Sequence, residues 1–174
     1  AFSIANAPND RHELELQIRR VEGGLFTDFV FNHLEEGAML RIEGPHGSFF
    51  FHDDDRPLVM VAGGTGFAPL KGMIEELMES GGYGHPIHLF WGARHRKDLY
   101  QDELVRQWIG TGRLRLDYTP VLSEVAPEDE WSGETGFVHD AVLRQYPDLS
   151  AQAVYMAGPP PMIESCREQF IAAG

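Results

Sequence analysis

An apolar segment that runs straight into a glycine-rich turn constrains this chain most. Residues 58–62, Leu-Val-Met-Val-Ala, contain no polar position, which predicts a parallel strand buried on both faces of a sheet. The turn Gly63-Gly64-Thr65-Gly66 follows at once, and apolar residues then recur at helical spacing over 70–78. A strand, a tight turn and a helix in this order are typical of open α/β sheets, which bind ligands at the carboxyl ends of their strands.

The turn at residues 63–66 has two interpretations. Its free N–H groups and the positive end of the following helix would face one point, where an anionic phosphate would bind favourably. Glycines also serve in tight turns that do no more than pack a strand against a helix. The residues alone leave both interpretations open.

The composition sets bounds on the partners. No apolar run among the 174 residues approaches the roughly 20 residues that span a bilayer, so we expect no membrane-spanning segment. The formal charge of −13 argues against nucleic acid or an anionic membrane as partner, because both would be repelled. The single cysteine, Cys166, excludes an internal disulfide and a cysteine-ligated iron–sulfur cluster within these residues, and favours a cytoplasmic location. We therefore expect any iron–sulfur centre on another segment or on a partner.

Residues 1–55 have the pattern of antiparallel β-structure. Half-buried strands are predicted from apolar runs and alternation at 13–19, 38–42 and 48–51. Between them one short helix is predicted over 27–34, with Thr27 as its N-cap. These elements are too few to close a barrel, so we expect either an open remnant or further strands upstream of the first residue.

Residues 56–174 alternate between strands and helices. Strands are predicted at 58–62, 87–91, 114–118 and 153–157. Helices are predicted at 70–78, 102–108, 140–145 and 160–170. This order predicts a doubly wound parallel sheet. The expected fold class is therefore an α/β domain over 56–174, preceded over 1–55 by part of an antiparallel β-barrel.

Two further strand ends carry residues suited to a ligand. Gly92-Ala93-Arg94 follows the second predicted strand, and Gly158-Pro159-Pro160-Pro161-Met162 follows the last. Because the carboxyl ends of parallel strands lie at one edge of a sheet, we expect these loops and the turn at 63–66 to surround one ligand. A dinucleotide fits such a crevice.

The order of five motifs carries a resemblance to a known family. The motifs are Phe2-Ser3-Ile4-Ala5-Asn6, Gly24-Leu25-Phe26-Thr27, Gly44-Pro45-His46-Gly47, Gly63-Gly64-Thr65-Gly66-Phe67-Ala68-Pro69 and Gly158-Pro159-Pro160-Pro161-Met162. Together they resemble the ferredoxin–NADP reductase superfamily, and more closely its flavin reductases and the reductase components of bacterial oxygenases and of deoxysugar biosynthesis. The resemblance implies an FAD-binding β-barrel domain at 1–55 and a nicotinamide-binding α/β domain at 56–174.

The same resemblance implies which residues hold the flavin. Phe2 would stack against the flavin ring, and Ser3 would lie near the flavin nitrogen N5 as the catalytic position. The other residues implied in FAD binding are Ile4, Gln17, Ile18, Arg19, Gly24, Leu25, Phe26 and Thr27. A helix N-terminus with a hydroxyl is an anion site, which supports a pyrophosphate beside Thr27. The alternative, that Thr27 only caps its own helix, stays open.

A nicotinamide site is implied in the second half of the chain. Its residues would be Gly64, Thr65, Gly66, Pro69, Gly92, Arg94, Gly158, Pro159 and Met162. Residues 94–97, Arg-His-Arg-Lys, form a basic cluster that could hold the 2′-phosphate of NADPH. Related NADH-dependent reductases carry a similar Gly-Ala-Arg followed by Asp-Leu, which Asp98 and Leu99 match. NADH is therefore the expected cofactor, and NADPH stays open.

The activity implied is that of an NAD(P)H-dependent flavin oxidoreductase that passes electrons to an acceptor protein or to free flavin. Hydride transfer needs no general acid or base, because the chemistry belongs to the cofactors and the protein orients them. The alternative is a non-catalytic nucleotide-binding or electron-transfer subunit that keeps the fold. The histidines lack the paired spacing of a metal site, so none is expected, and Cys166 is expected in the core.

Overall fold

A parallel sheet lies at the centre of the computed structural model, which describes residues 1–8 and 12–174. Its strands are β1 (Leu58–Gly63), β2 (Ile87–Ala93), β3 (Leu116–Leu122), β4 (Glu134–Thr135) and β5 (Ala153–Ala157). They lie in the order β4-β3-β2-β1-β5, and each neighbouring pair is parallel. The strand order therefore reverses between β1 and β5, as expected of the doubly wound sheet predicted from the sequence.

Five helices accompany the sheet within the described residues. They are α1 (Leu25–Asn32), α2 (Phe67–Glu79), α3 (Asp102–Thr111), α4 (Val138–Gln145) and α5 (Pro160–Ala172). α2 and α3 pack with Leu58, Met60 and Ala62 of β1, whereas α4 and α5 pack with Val59 and Val61. Both faces of β1 are thus covered, which explains why the strand has no polar position. None of these helices is both long and apolar enough to cross a bilayer.

Two strands of the α/β unit, β3 and β4, differ clearly from the sequence expectations. β3 begins at Leu116 rather than at Leu114, because pairing with β2 starts at Ile87 opposite Leu116. Leu114 is buried but precedes Leu116, the first residue that pairs with β2. It therefore fits the apolar alternation of the sequence without being part of the strand. β4 is only two residues long, too short to show any alternation, and it was missed.

Between residues 1 and 55, the described residues hold little regular structure apart from α1. An antiparallel bridge joins Ile4 to Leu16, and the Ala5 N–H donates to the Glu15 carbonyl at 2.9 Å. The strands predicted at 38–42 and 48–51 were wrong, and the strand predicted at 13–19 is reduced to the single bridge at Leu16. The alternation at 38–42 is present in the sequence, but the described residues supply no paired neighbour for it. Leu40 and Ile42, which would form its apolar face, are accordingly 46% and 59% exposed, so alternation alone does not make a strand.

Candidate functional site

A cleft of about 680 Å³ lies where residues 1–55 meet the carboxyl ends of β1 and β5. These strands flank the point at which the strand order reverses, the place where doubly wound sheets bind ligands. The lining residues from the first segment are Ala1, Phe2, Ser3, Gln17, Arg19, Val21, Thr27 and Phe49. Those from the α/β unit are Gly63, Gly64, Thr65, Gly66, Ala68, Pro69, Met156, Ala157, Gly158, Pro159 and Ile163.

Three glycines let the loops after β1 and β5 touch. A Cβ on Gly66 would overlap the backbone carbonyl of Ala157, and a Cβ on Gly158 would lie 3.1 Å from the Cα of Gly63. A Cβ on Gly63 would in turn meet the side chain of Met162. Gly63 and Gly66 therefore serve close packing between the two loops, and the phosphate role of the turn stays a prediction. Met162 contributes as the side chain beneath the two loops and is not among the described residues that line the cleft.

Gly64 differs from its neighbours and keeps the phosphate interpretation open. Its φ of +51° is a left-handed conformation that favours glycine, and the space around its Cβ position is empty. Its carbonyl accepts a 2.9 Å hydrogen bond from the Trp91 indole, which fixes the turn. No side chain among the described residues caps α2, and the first turn of α2 holds no acidic residue. A 3₁₀ turn at Gly64–Gly66 runs directly into α2, and the Phe67 N–H donates back to the Gly64 and Thr65 carbonyls. The N–H groups of 64–66, at the start of this helical run, suit a pyrophosphate.

Phe2 and Ser3 face this turn from the first segment. Both line the cleft, and the ring of Phe2 packs against that of Phe26 with centroids 5.1 Å apart. Ile4 forms the bridge to Leu16 that holds this part of the chain in place. An aromatic face and a hydroxyl therefore lie within the same cleft as the glycine turn, an arrangement that fits a flat ring system beside a nucleotide.

The expectation that Thr27 caps α1 was wrong. α1 begins at Leu25 with Gly24 as its N-cap, and Thr27 lies buried in the first turn. The Thr27 Oγ1 is 3.0 Å from the Val21 carbonyl and 3.1 Å from the Gly24 carbonyl, and it accepts from the Val21 N–H at 3.3 Å. The hydroxyl therefore folds the loop before α1. Gly24 makes room for it, because a Cβ there would lie 2.6 Å from this oxygen.

Gln17 lines the cleft, but its amide is engaged by the protein. Its Nε2 donates to Glu15 at 2.8 Å and to Gln101 at 2.9 Å, and its Oε1 accepts from the Tyr100 hydroxyl. Burial raises the pKa of Tyr100 and the charge of Glu15 raises it further, so the hydroxyl keeps its proton. Sequence reasoning missed Tyr100 and Gln101. It also missed Lys71, for which a lysine inside the apolar stripe of α2 was an available signal.

The loop after β2 stands apart from the cleft. Arg94 is not among the described cleft residues, and its Nε lies 3.6 Å from the carboxylate of Glu124. His95 approaches the same carboxylate at 3.8 Å. Gly92 lies under α4, where a Cβ would be 2.9 Å from the Val138 Cβ. Of the three loops expected to converge, the structure brings the first and the last together around one cavity.

Several predicted positions lie outside the lining. Ile4, Ile18, Gly24, Leu25, Phe26, Gly92, Arg94 and Met162 do not line the cleft among the described residues. Leu25 is 92% exposed, so its side chain makes little contact with the rest of the chain. Within the part of the chain that the structure describes, no group of three or more His, Cys, Asp or Glu side chains could hold a metal ion.

Two protein families match the chain. Residues 60–168 match the oxidoreductase NAD-binding domain, and residues 1–51 match the oxidoreductase FAD-binding domain. The chain belongs to the oxidoreductase NAD-binding domain family. The two matches meet at the cleft, since each contributes residues to its walls.

Similar proteins match this chain over nearly its whole length. The chain is 41% identical over 174 residues to a CDP-6-deoxy-L-threo-D-glycero-4-hexulose-3-dehydrase reductase of Yersinia pestis, across 100% of the chain and 51% of the relative. It is 39% identical over 167 residues to DmpP, the reductase component of phenol 2-monooxygenase from Pseudomonas sp. strain CF600, across 95% and 47%. The solved ferredoxin reductase in carbazole 1,9a-dioxygenase matches with a TM-score of 0.84 at 26% identity, across 99% and 51%. The chain spans about half the length of the curated relatives it matches.

These matches confirm the predictions of family, fold class and cofactor type. The motifs predicted a ferredoxin reductase-like oxidoreductase, and the matched families bind FAD and a nicotinamide dinucleotide. The parallel sheet with its helices confirms the α/β fold class. The roles of the individual site residues stay predictions.

Proposed function

We propose that this chain forms the core of an NAD(P)H-dependent flavoprotein reductase that delivers electrons to a protein acceptor. The observation that carries the proposal is a single cleft walled by both the FAD-matched and the NAD-matched segments. Two relatives, a dehydrase reductase and a monooxygenase reductase component, support a protein acceptor over free flavin. The cysteine content supports a cytoplasmic location.

The residues of this chain bind and orient. When bound, the two cofactors supply the redox chemistry, a hydride transfer from dihydronicotinamide to flavin. The amides of 64–66 and the N-terminus of α2 would hold the dinucleotide pyrophosphate. Phe2 would offer its ring to the flavin, with Ser3 beside the reacting nitrogen. The loop at 158–159 would close the opposite wall and exclude water, so that the two rings are held in contact.

The same proposal sets the domain organisation. Residues 1–55 would form the flavin-binding part and residues 56–174 the nicotinamide-binding part. The two family matches end at residue 51 and begin at residue 60, which supports a boundary between them. The Asp55 φ of +52° marks a sharp change of chain direction at that place.

NADH is the proposed electron donor. The Glu124 carboxylate lies beside Arg94 and His95, so it partly neutralises the basic loop and weakens its attraction for a 2′-phosphate. We therefore expect a higher kcat/KM with NADH than with NADPH. Glu124→Gln should lower the ratio of kcat/KM with NADH to kcat/KM with NADPH several-fold, because it removes the negative charge of the Glu124 carboxylate. A wild-type preference for NADPH in steady-state kinetics would contradict the assignment.

The proposed activity is tested by mixing the chain with FAD and NADH without oxygen. We expect the visible absorbance of oxidised flavin to disappear on the timescale of turnover. Calorimetric titration with each cofactor, carried out separately, serves as the control for binding. If both cofactors bind and the flavin stays oxidised with NADH and with NADPH, the chain is a non-catalytic binding subunit instead.

A further inference from the structure

Lys71 of α2 is a buried lysine that joins the two parts of the chain. Its Nζ donates to the Ala5 carbonyl at 3.0 Å, to Glu15 at 2.8 Å and to Glu75 at 2.9 Å. An ammonium carries three N–H donors, so these acceptors use its full capacity. Ala5 and Glu15 belong to the flavin-side segment, whereas Glu75 lies one turn along α2. Two of the three bonds therefore cross between the segments.

The charge of Lys71 is maintained in this site. Burial alone would lower the pKa of Lys71, but hydrogen bonds with Glu15 and Glu75 raise it above the ordinary value. Burial would likewise raise the pKa of Glu15, and Lys71 together with Gln17 lowers it instead. Lys71 and Glu15 are therefore ionised together near neutral pH, which strengthens the hydrogen bond between them.

The backbone around Lys71 is shaped for close contact. A Cβ on Gly72 would lie 3.1 Å from the Asn6 carbonyl oxygen, so glycine lets the first segment lie directly on α2. Ala5 and Ala7 are buried in this contact. The Asn6 side chain donates to the Glu13 carbonyl at 3.0 Å and accepts from the Glu15 N–H at 2.9 Å. The contacting backbone is thus held firmly by its own hydrogen bonds.

A chain of hydrogen bonds runs from Lys71 to the cleft. One oxygen of Glu15 accepts from Lys71 and the other from Gln17, whose amide is also bound by Tyr100 and Gln101. The Tyr100 ring meets Trp91 edge-on at 5.2 Å. Trp91 holds the carbonyl of Gly64 in the glycine turn. The two cleft walls are therefore linked by continuous contacts through named side chains.

We propose that Lys71 is a positioning residue that seats the flavin-side segment on the α/β unit and so sets the spacing across the cleft. Through Glu15 it fixes the segment that carries Gln17 and Arg19, and through Ala5 it fixes the segment that carries Phe2 and Ser3. Tyr100 provides the second point of attachment through Gln17. The consequence for catalysis depends on the proposed reductase function, but the attachment itself does not.

The attachment is tested by hydrogen–deuterium exchange of Lys71→Met, with Arg167→Met on α5 as the control for loss of a cation. We expect amides in 4–7 and 13–17 to exchange about tenfold faster in Lys71→Met, with β1 unchanged. Arg167→Met should leave 4–7 and 13–17 at wild-type rates. Unchanged exchange in Lys71→Met would overturn the proposal, and so would a uniform increase that includes β1, since that shows general destabilisation.

The positioning role has a second test in Tyr100→Phe, which keeps the ring and removes the hydroxyl bonded to Gln17. Tyr83→Phe is the matched control, because the Tyr83 hydroxyl donates to the Arg56 carbonyl at 2.6 Å, away from the cleft. We expect kcat to fall several-fold in Tyr100→Phe with an unchanged KM for NADH, and neither to change in Tyr83→Phe. Equal kcat in both variants would overturn the role. If the wild-type protein has no reductase activity, the proposed function is refuted. The hydrogen–deuterium exchange experiment would still decide whether Lys71 attaches the flavin-side segment to α2.

Discussion

Gly66 shows why the glycine turn tolerates so little change. Its φ of −61° suits any residue, so the restriction comes from the Ala157 carbonyl, which occupies the position of a side chain. We expect Gly66→Ala to lower the free energy of unfolding by about 1–3 kcal/mol, the range of an overpacked core, and to weaken NADH binding. Urea denaturation and calorimetric titration measure these effects. A Gly66→Ala variant as stable as wild type would contradict the close packing of the two loops.

Cys166 provides a second prediction at the scale of one residue. It is buried beside Phe170, and burial raises the pKa of its thiol to about 11. The reactive thiolate is therefore scarce at pH 8 and the sulfur is shielded. We expect no reaction with a thiol reagent such as Ellman's at that pH until the chain is denatured, when one thiol per chain should react. Rapid reaction of the native protein would place Cys166 at the surface.

Individual residues were predictable only where a local motif carried them. Phe2, Ser3 and residues 64–66 were found from short motifs and do line the cleft. Lys71 was not found, because its partner Glu15 is 56 positions away and the partner set appears only when the segments pack. Thr27 was predicted to be the N-cap of α1, which is the wrong structural role. Its hydroxyl bonds to the loop before α1, and the start of that helix lies two residues earlier than expected.

Two helical glycines separate helix propensity from contact between elements. Gly110 in α3 has no atom within 4 Å of its Cβ position, whereas that of Gly72 in α2 faces Asn6 at 3.1 Å. Gly110→Ala should raise the free energy of unfolding by up to about 1 kcal/mol, the propensity difference between glycine and alanine. Gly72→Ala should not gain this stability. The added Cβ would press on the Asn6 carbonyl oxygen, and Asn6 cannot move away because it is held by its own hydrogen bonds. Equal stabilisation of both variants would show that the first segment is not seated on α2.

The contact between the first segment and α2 also predicts that the protein loses stability at acidic pH. The pKa of Glu15 is lowered below its ordinary value of 4.5 by Lys71 and Gln17, against the effect of burial. Its stabilising effect is therefore present above pH 4.5 and is lost as the pH falls through the lower pKa of the folded state. Urea midpoints between pH 3 and 7 should fall less steeply for Glu15→Gln than for wild type. Parallel curves would contradict the ion pair.

Elements with both a pattern and a partner were predicted well. β1 and β5 and the helices after them were recovered because apolar runs bounded by glycine and proline identify buried strands. The expected strand at 38–42 was not found, because a strand exists only where a neighbour pairs with it and none pairs among the described residues. β4 is the opposite case. Its two polar residues, Glu134 and Thr135, show no strand pattern, but they pair with Val121 and Leu122 of β3.

At the scale of the whole molecule, the cleft follows from topology. The strand order β4-β3-β2-β1-β5 places the ends of β1 and β5 side by side at the reversal point, and residues 1–55 cover that point. The order of motifs was sufficient to predict the family and its cofactors. It could not show that Arg94 stands outside the cleft, because the direction of a loop depends on its own partners, here Glu124.

A crystal structure of the chain with FAD and NAD⁺ bound tests the central claim most directly. The account predicts that the dinucleotide pyrophosphate lies on the amides of 64–66, and that the flavin ring lies on Phe2 with the nicotinamide between it and the loop at 158–159. Binding of either cofactor outside the cleft would contradict the account. Walls drawn apart so that Phe2 and Gly64 no longer face the same cavity would contradict it equally.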